Sequence, residues 1–104
     1  MSKRSKDCEF SPQVRKRIKE RDNGCIFCLS FGNSGYPATQ IAHYVSRGRS
    51  GLGVEQNGAL VCVKHHQELD NGTNGAPMKA FFKSYLQNHY PGWNEEELIY
   101  SKWS

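Results

Sequence analysis

Ile41-Ala42-His43-Tyr44, Asn57 and Cys62-Val63-Lys64-His65-His66-Gln67-Glu68-Leu69-Asp70 crowd into one short part of this chain, and the fold is read from them. Residues 39–45 are rich in strand formers and predict the first strand of a hairpin. Residues 46–53, punctuated by glycine and serine, predict a loop. Ala59-Leu60-Val61 is the expected second strand. Residues 63–71 predict a helix stopped by Asn71-Gly72. On that helix His66 and Asp70 are four apart and share a face.

Just upstream stands Cys25-Ile26-Phe27-Cys28. Its C-x-x-C pairs in kind with the C-x-x-H of Cys62 and His65, and two such knuckles suit tetrahedral zinc. Binding the ion would contribute folding free energy that a small core needs. His65 and His66 are adjacent, so on a helix they project about 100° apart and do not easily serve one ion. The spacing assigns His65 to the zinc and leaves His66 for a second site. The reverse assignment remains open but fits the spacing less well.

Working outward, 104 residues suggest one domain with a small core. The net charge is +4, and eight of the 14 Lys and Arg residues precede residue 22, while Glu95, Glu96 and Glu97 cluster near the other end. That asymmetry favours an anionic partner for the N-terminal part. Residues 1–10 read as a flexible basic arm, with Cys8 a bystander, and residues 11–104 as a single domain. Ser11-Pro12 reads as a helix N-cap and first turn. Val14 and Ile18 give that helix a narrow apolar stripe, leaving its Arg and Lys residues, Arg21 among them, to solvent or phosphate. Gly24 is the expected left-handed residue at its end. Beyond residue 76, Met78, Phe81, Phe82, Tyr85 and Leu86 follow a helical core stripe, and Asn94 caps a last short helix. No run is apolar and long enough for a membrane span, and no apolar segment follows the N-terminal residues. The expectation is a cytoplasmic protein with reduced thiols.

His43, Asn57 and His66, in this order and beside the Cys-x-x-Cys and Cys-x-x-His-His patterns, resemble the signature of the HNH endonucleases, members of the ββα-metal or His-Me finger nucleases. The likeness covers residues 14–72, with a motif core over 25–72; helices over 76–104 lie outside it. It implies an α+β fold, a zinc-stabilised ββα-metal domain with a short antiparallel hairpin packed with helices. It implies a metal-dependent endonuclease cutting DNA phosphodiester bonds. By resemblance His43 is the general base, Asn57 fixes the loop between the strands and orients His43 through its amide, and His66 binds a divalent cation, Mg²⁺, Mn²⁺ or Ni²⁺, with Asp70 a second ligand. Cys25, Cys28, Cys62 and His65 would hold structural Zn²⁺. Many members carry Asp or His just before the first His, and Ala42 stands there in this chain, so water would fill more of the cation's coordination.

Arg47 and Arg49 in the loop, with Lys16, Arg17 and Lys19 on the first helix, are candidate contacts to the DNA backbone. Compact proteins of this kind are common in bacteriophages and bacteria, and phage packaging or replication proteins are partners within the family's range. The alternative is a non-catalytic zinc-knuckle module that binds nucleic acid or serves phage assembly. A general base opposite a second metal separates the two, since a binding module needs neither.

Overall fold

The protein is described by a computed structural model, which covers residues 7–100. The first helix, α1 (Pro12–Asp22), begins where its sequence signals it: the Ser11 hydroxyl accepts from Val14 N at 3.2 Å and Pro12 occupies the first turn. The helix ends on Asn23, which takes the left-handed conformation (φ 52°) and donates its N–H to Lys19 O. The left-handed cap is therefore Asn23 rather than Gly24, a substitution asparagine tolerates because its side chain bonds locally.

A one-turn helix, α2 (Cys28–Phe31), follows the first cysteine pair. Strands β1 (Ala38–His43) and β2 (Gly58–Cys62) form a two-stranded antiparallel sheet with His43 opposite Gly58 and Ala42 opposite Ala59. The register slips between Ala38 and Gln40. Then come α3 (Val63–Asn71) and α4 (Gly75–His89), and a 3₁₀ turn at Glu95–Leu98 capped by Asn94. Pro77 sits inside the first turn of α4, where its missing N–H costs nothing.

Both faces of the small sheet are covered, which explains why every residue of β2 is buried. Ala42, Ala59 and Val61 face the main core with Phe27, Val45, Met78, Phe82 and Leu86. Leu60 on the other face packs against Phe10 and Ile18, with Ile41 alongside. Alternation along β1 thus sends Ala42 inward and its neighbour His43 outward.

Arg21 corrects the reading of α1 as a freely basic helix. It donates to Glu55 O, Gly58 O and Tyr90 Oη at 2.6–3.0 Å and pairs with Asp22. Asp22 in turn accepts from Leu60 N and Tyr85 Oη. This polar knot ties α1 to β2 and α4. No helix among the described residues is long and apolar enough to cross a membrane.

Candidate active site and metal centre

The two cysteine pairs converge. The ligand atoms of Cys25, Cys28, Cys62 and His65 all lie within 4.8 Å of one another. His65 Nδ1 stands 3.6 Å from Cys25 Sγ, 3.5 Å from Cys28 Sγ and 3.3 Å from Cys62 Sγ, and the Cys28 and Cys62 sulfurs are 3.9 Å apart. Tetrahedral zinc, with bonds of about 2.3 Å to sulfur and about 2.05 Å to nitrogen, demands S···S near 3.8 Å and S···N near 3.6 Å. The three S···N separations and the Cys28–Cys62 separation are close to those values, and the cluster could hold a metal such as zinc.

Local structure explains the convergence. Ile26 N donates to Leu60 O, pinning the first knuckle to β2. Cys62 is the N-cap of α3, and its sulfur accepts from His65 N at 3.4 Å. Ser34, which the sequence did not single out, approaches Cys62 Sγ at 3.1 Å and Cys28 Sγ at 3.6 Å, supporting the ligands from outside. Burial pushes the metal-free Cys25 thiol up to about 11, so uptake of an ion there must release a proton.

His43 and His66 open onto one cleft of about 550 Å³, walled also by Glu9, Phe10, Arg15, Ile41 and Arg47. His43 projects from the end of β1. Its Nε2 lies 2.8 Å from the carbonyl oxygen of Cys8. A carbonyl only accepts, so Nε2 carries the hydrogen and Nδ1 keeps a free lone pair. Burial first, then the charges of Arg47 and Arg15, hold the imidazole's pKa below its ordinary value of 6.5 despite the Cys8 hydrogen bond. At neutral pH His43 is an unprotonated base.

His66 is fixed in the opposite sense. Its Nδ1 is 2.6 Å from Gln40 Oε1 on β1, which assigns the hydrogen to Nδ1 and leaves Nε2 as the available donor atom. Asp70 Oδ2 lies 3.8 Å from that Nε2. Among the described residues no third His, Cys, Asp or Glu joins them in a cluster; the only such group is the Cys₃His set. Ala42 is in the core at 1 % exposure, so it adds no ligand and its position faces away from the cleft.

Asn57 is fully buried, and its side-chain hydrogen bonds fall on the loop between the strands. Its Oδ1 accepts from Val45 N at 2.7 Å, while Nδ2 donates to Val45 O and Leu52 O at 3.1 and 2.8 Å. Its own carbonyl accepts from Tyr44 N. The amide therefore clasps the loop just after His43 and does not bond the imidazole itself.

The basic residues divide. Arg47 lines the cleft and pairs with Glu9 at 3.6 Å; Arg15, not singled out from sequence, lines it too and donates to Phe10 O. Arg49 lies in a separate groove with Lys83, Trp93 and Glu95. Arg17 pairs with Glu55 at 3.7 Å, and Lys16 and Lys19 are exposed on α1 outside the cleft lining.

The flexible arm is corrected over its described part. Residues 7–10 belong to the fold: Cys8 and Phe10 are buried, Gly53 N donates to Asp7 O at 2.9 Å, and the Phe10 ring lies on His43 with centroids 4.2 Å apart. Residues 1–6 of the expected arm lie outside the described residues. The signal was present in sequence as the apolar alternation of Cys8 and Phe10, masked by the charges around it. No protein-family model, curated protein or solved structure matches the chain.

Proposed function

We propose that this chain is a metal-dependent endonuclease of the HNH, ββα-metal type that hydrolyses DNA phosphodiester bonds. One observation carries the reading. Two imidazoles, His43 bonded through Nε2 to Cys8 O and His66 bonded through Nδ1 to Gln40 with Asp70 beside its Nε2, share a cleft with two arginines. A binding module has no use for a base facing a ligand.

In this reading Arg15 and Arg47 hold the backbone phosphates, with Arg47 exchanging its exposed partner Glu9 for the substrate. His43 Nδ1 takes a proton from a water whose oxygen attacks phosphorus. A divalent cation, Mg²⁺, Mn²⁺ or Ni²⁺, held by His66 and Asp70 would supply Lewis-acid stabilisation of the charge that develops on the phosphate and leaving oxygen. Asn57 keeps the loop, and with it the end of β1, in place.

The Cys₃His cluster is assigned to structural Zn²⁺. It ties the first knuckle to the junction of β2 and α3, the junction from which His66 projects. The DNA contacts are mainly to the backbone, because no separate element among the described residues is available to read bases.

The test is incubation of supercoiled plasmid with the protein and Mg²⁺, Mn²⁺ or Ni²⁺, with a chelator control. Metal-dependent appearance of nicked or linear product supports the reading. A folded, zinc-loaded protein that binds plasmid and leaves it intact with every ion would instead make this a binding module.

A further inference from the structure

Residues 7–10 form a short strap, of which Glu9 and Phe10 line the cleft, and what holds it there is mostly apolar and backbone. Burial of the Phe10 ring in the pocket beside Ile18 and Leu60 is worth about 1.5–3 kcal/mol, more than the exposed Glu9–Arg47 pair contributes. The strap's approach depends on two glycines. A Cβ on Gly53 would overlap the carbonyl of Glu9 and crowd Phe10 N. A Cβ on Gly58 would strike the Phe10 ring and Ile18. Gly53 also donates its N–H to Asp7 O, one residue before the carbonyl that meets His43.

We infer that this N-terminal strap is a positioning element of the site, and that Gly53 is the residue that seats it. Seated, the strap brings Cys8 O within reach of His43 Nε2 and lays Phe10 on the ring, so the imidazole is held in one tautomer with its hydrogen on Nε2. Lifted, His43 loses both contacts and samples either tautomer. The consequence for cutting rests on the nuclease reading above; the hold on the imidazole does not.

The experiment is ¹⁵N NMR of the His43 ring in the full-length, zinc-loaded chain at mildly alkaline pH, for the wild type and Gly53→Ala, with plasmid cleavage measured beside it. The wild type is expected to show a protonated Nε2 and a bare Nδ1. Gly53→Ala is expected to show averaging between tautomers, unchanged zinc stoichiometry and cleavage slowed by roughly 10- to 100-fold, a fraction of what a general base contributes. A Gly53→Ala protein with the wild-type ring spectrum would overturn the inference. Should that variant fail to fold, the wild-type spectrum still decides, because a hydrogen on Nδ1 there contradicts the strap's role. Wild-type protein with the expected tautomer but no cleavage would support the strap's hold on His43 while removing the nuclease reading.

Discussion

His65 and His66 are consecutive on α3 yet serve different environments. His65 is buried with Nδ1 within 3.6 Å of three sulfurs, whereas His66 reaches the cleft and meets Gln40 Oε1 at 2.6 Å. The turn of about 100° between neighbours on a helix is what separates them. One helix thereby carries one wall of each site.

That division gives a double dissociation. Structural zinc contributes about 10–16 kcal/mol to small metal-held domains, as much as or more than the whole stability of a typical one. His65→Ala, like Cys25→Ser, is expected to lose zinc and unfold, read by metal content and circular dichroism. His66→Ala is expected to keep zinc and fold but lose metal-dependent cleavage. A zinc-free Cys25→Ser protein that stays folded would contradict the structural assignment.

Gln40 fixes the tautomer of His66 from β1. Removing a hydrogen-bond partner of a metal-ligating histidine typically costs 10- to 100-fold in affinity. Gln40→Ala is expected to weaken Mn²⁺ binding by about that factor in titration calorimetry, with the melting temperature little changed. Equal affinity in wild type and variant would show that His66 needs no such support.

Asn57 has every polar atom satisfied inside the protein. Asn57→Ala strands the N–H and carbonyl of Val45 and the carbonyl of Leu52, at about 1–3 kcal/mol for each buried group left unpaired. The zinc-loaded variant is expected to melt at least about 10 °C lower. A shift of only a degree or two would mean that the loop closes without this clasp.

Much of this arrangement was legible from residue types and spacing. The Cys₃His set, the helix over Val63–Asn71 and the core face of α4 follow from local patterns. The long-range partners do not. Gln40, Cys8 O and Gly53 act on histidines or loops far along the chain, and no spacing rule links position 8 to position 43. Arg21 misled because a charged residue on a helix is usually solvated; here three acceptors and Asp22 satisfy it in place. Arg15 was hidden among similar neighbours, since only the tilt of α1 against the sheet decides which of them faces the cleft.

The direction of the His43 shift sets a pH dependence. Its pKa is depressed by burial and by Arg47 and Arg15, so the base is lost only when the pH falls below its ordinary 6.5. The acid limb of the cleavage rate is therefore expected to bend below pH 6.5, with the rate flat above it where His43 is neutral. The same depression opposes protonation in the fold, so stability linked to His43 is present above its unfolded value and is lost as the pH falls below that through the lower folded value. A limb centred above 6.5 would mean that another group limits the rate.

The most direct measurement is the cleavage rate of zinc-loaded His43→Ala beside the wild type, at saturating divalent cation. A general base contributes about 10²- to 10⁴-fold, so the variant is expected to cut at least about a hundredfold more slowly while binding plasmid and zinc as before. Cutting at the wild-type rate by that variant would remove His43 from the chemistry and, with it, the claim that this cleft is a hydrolytic centre.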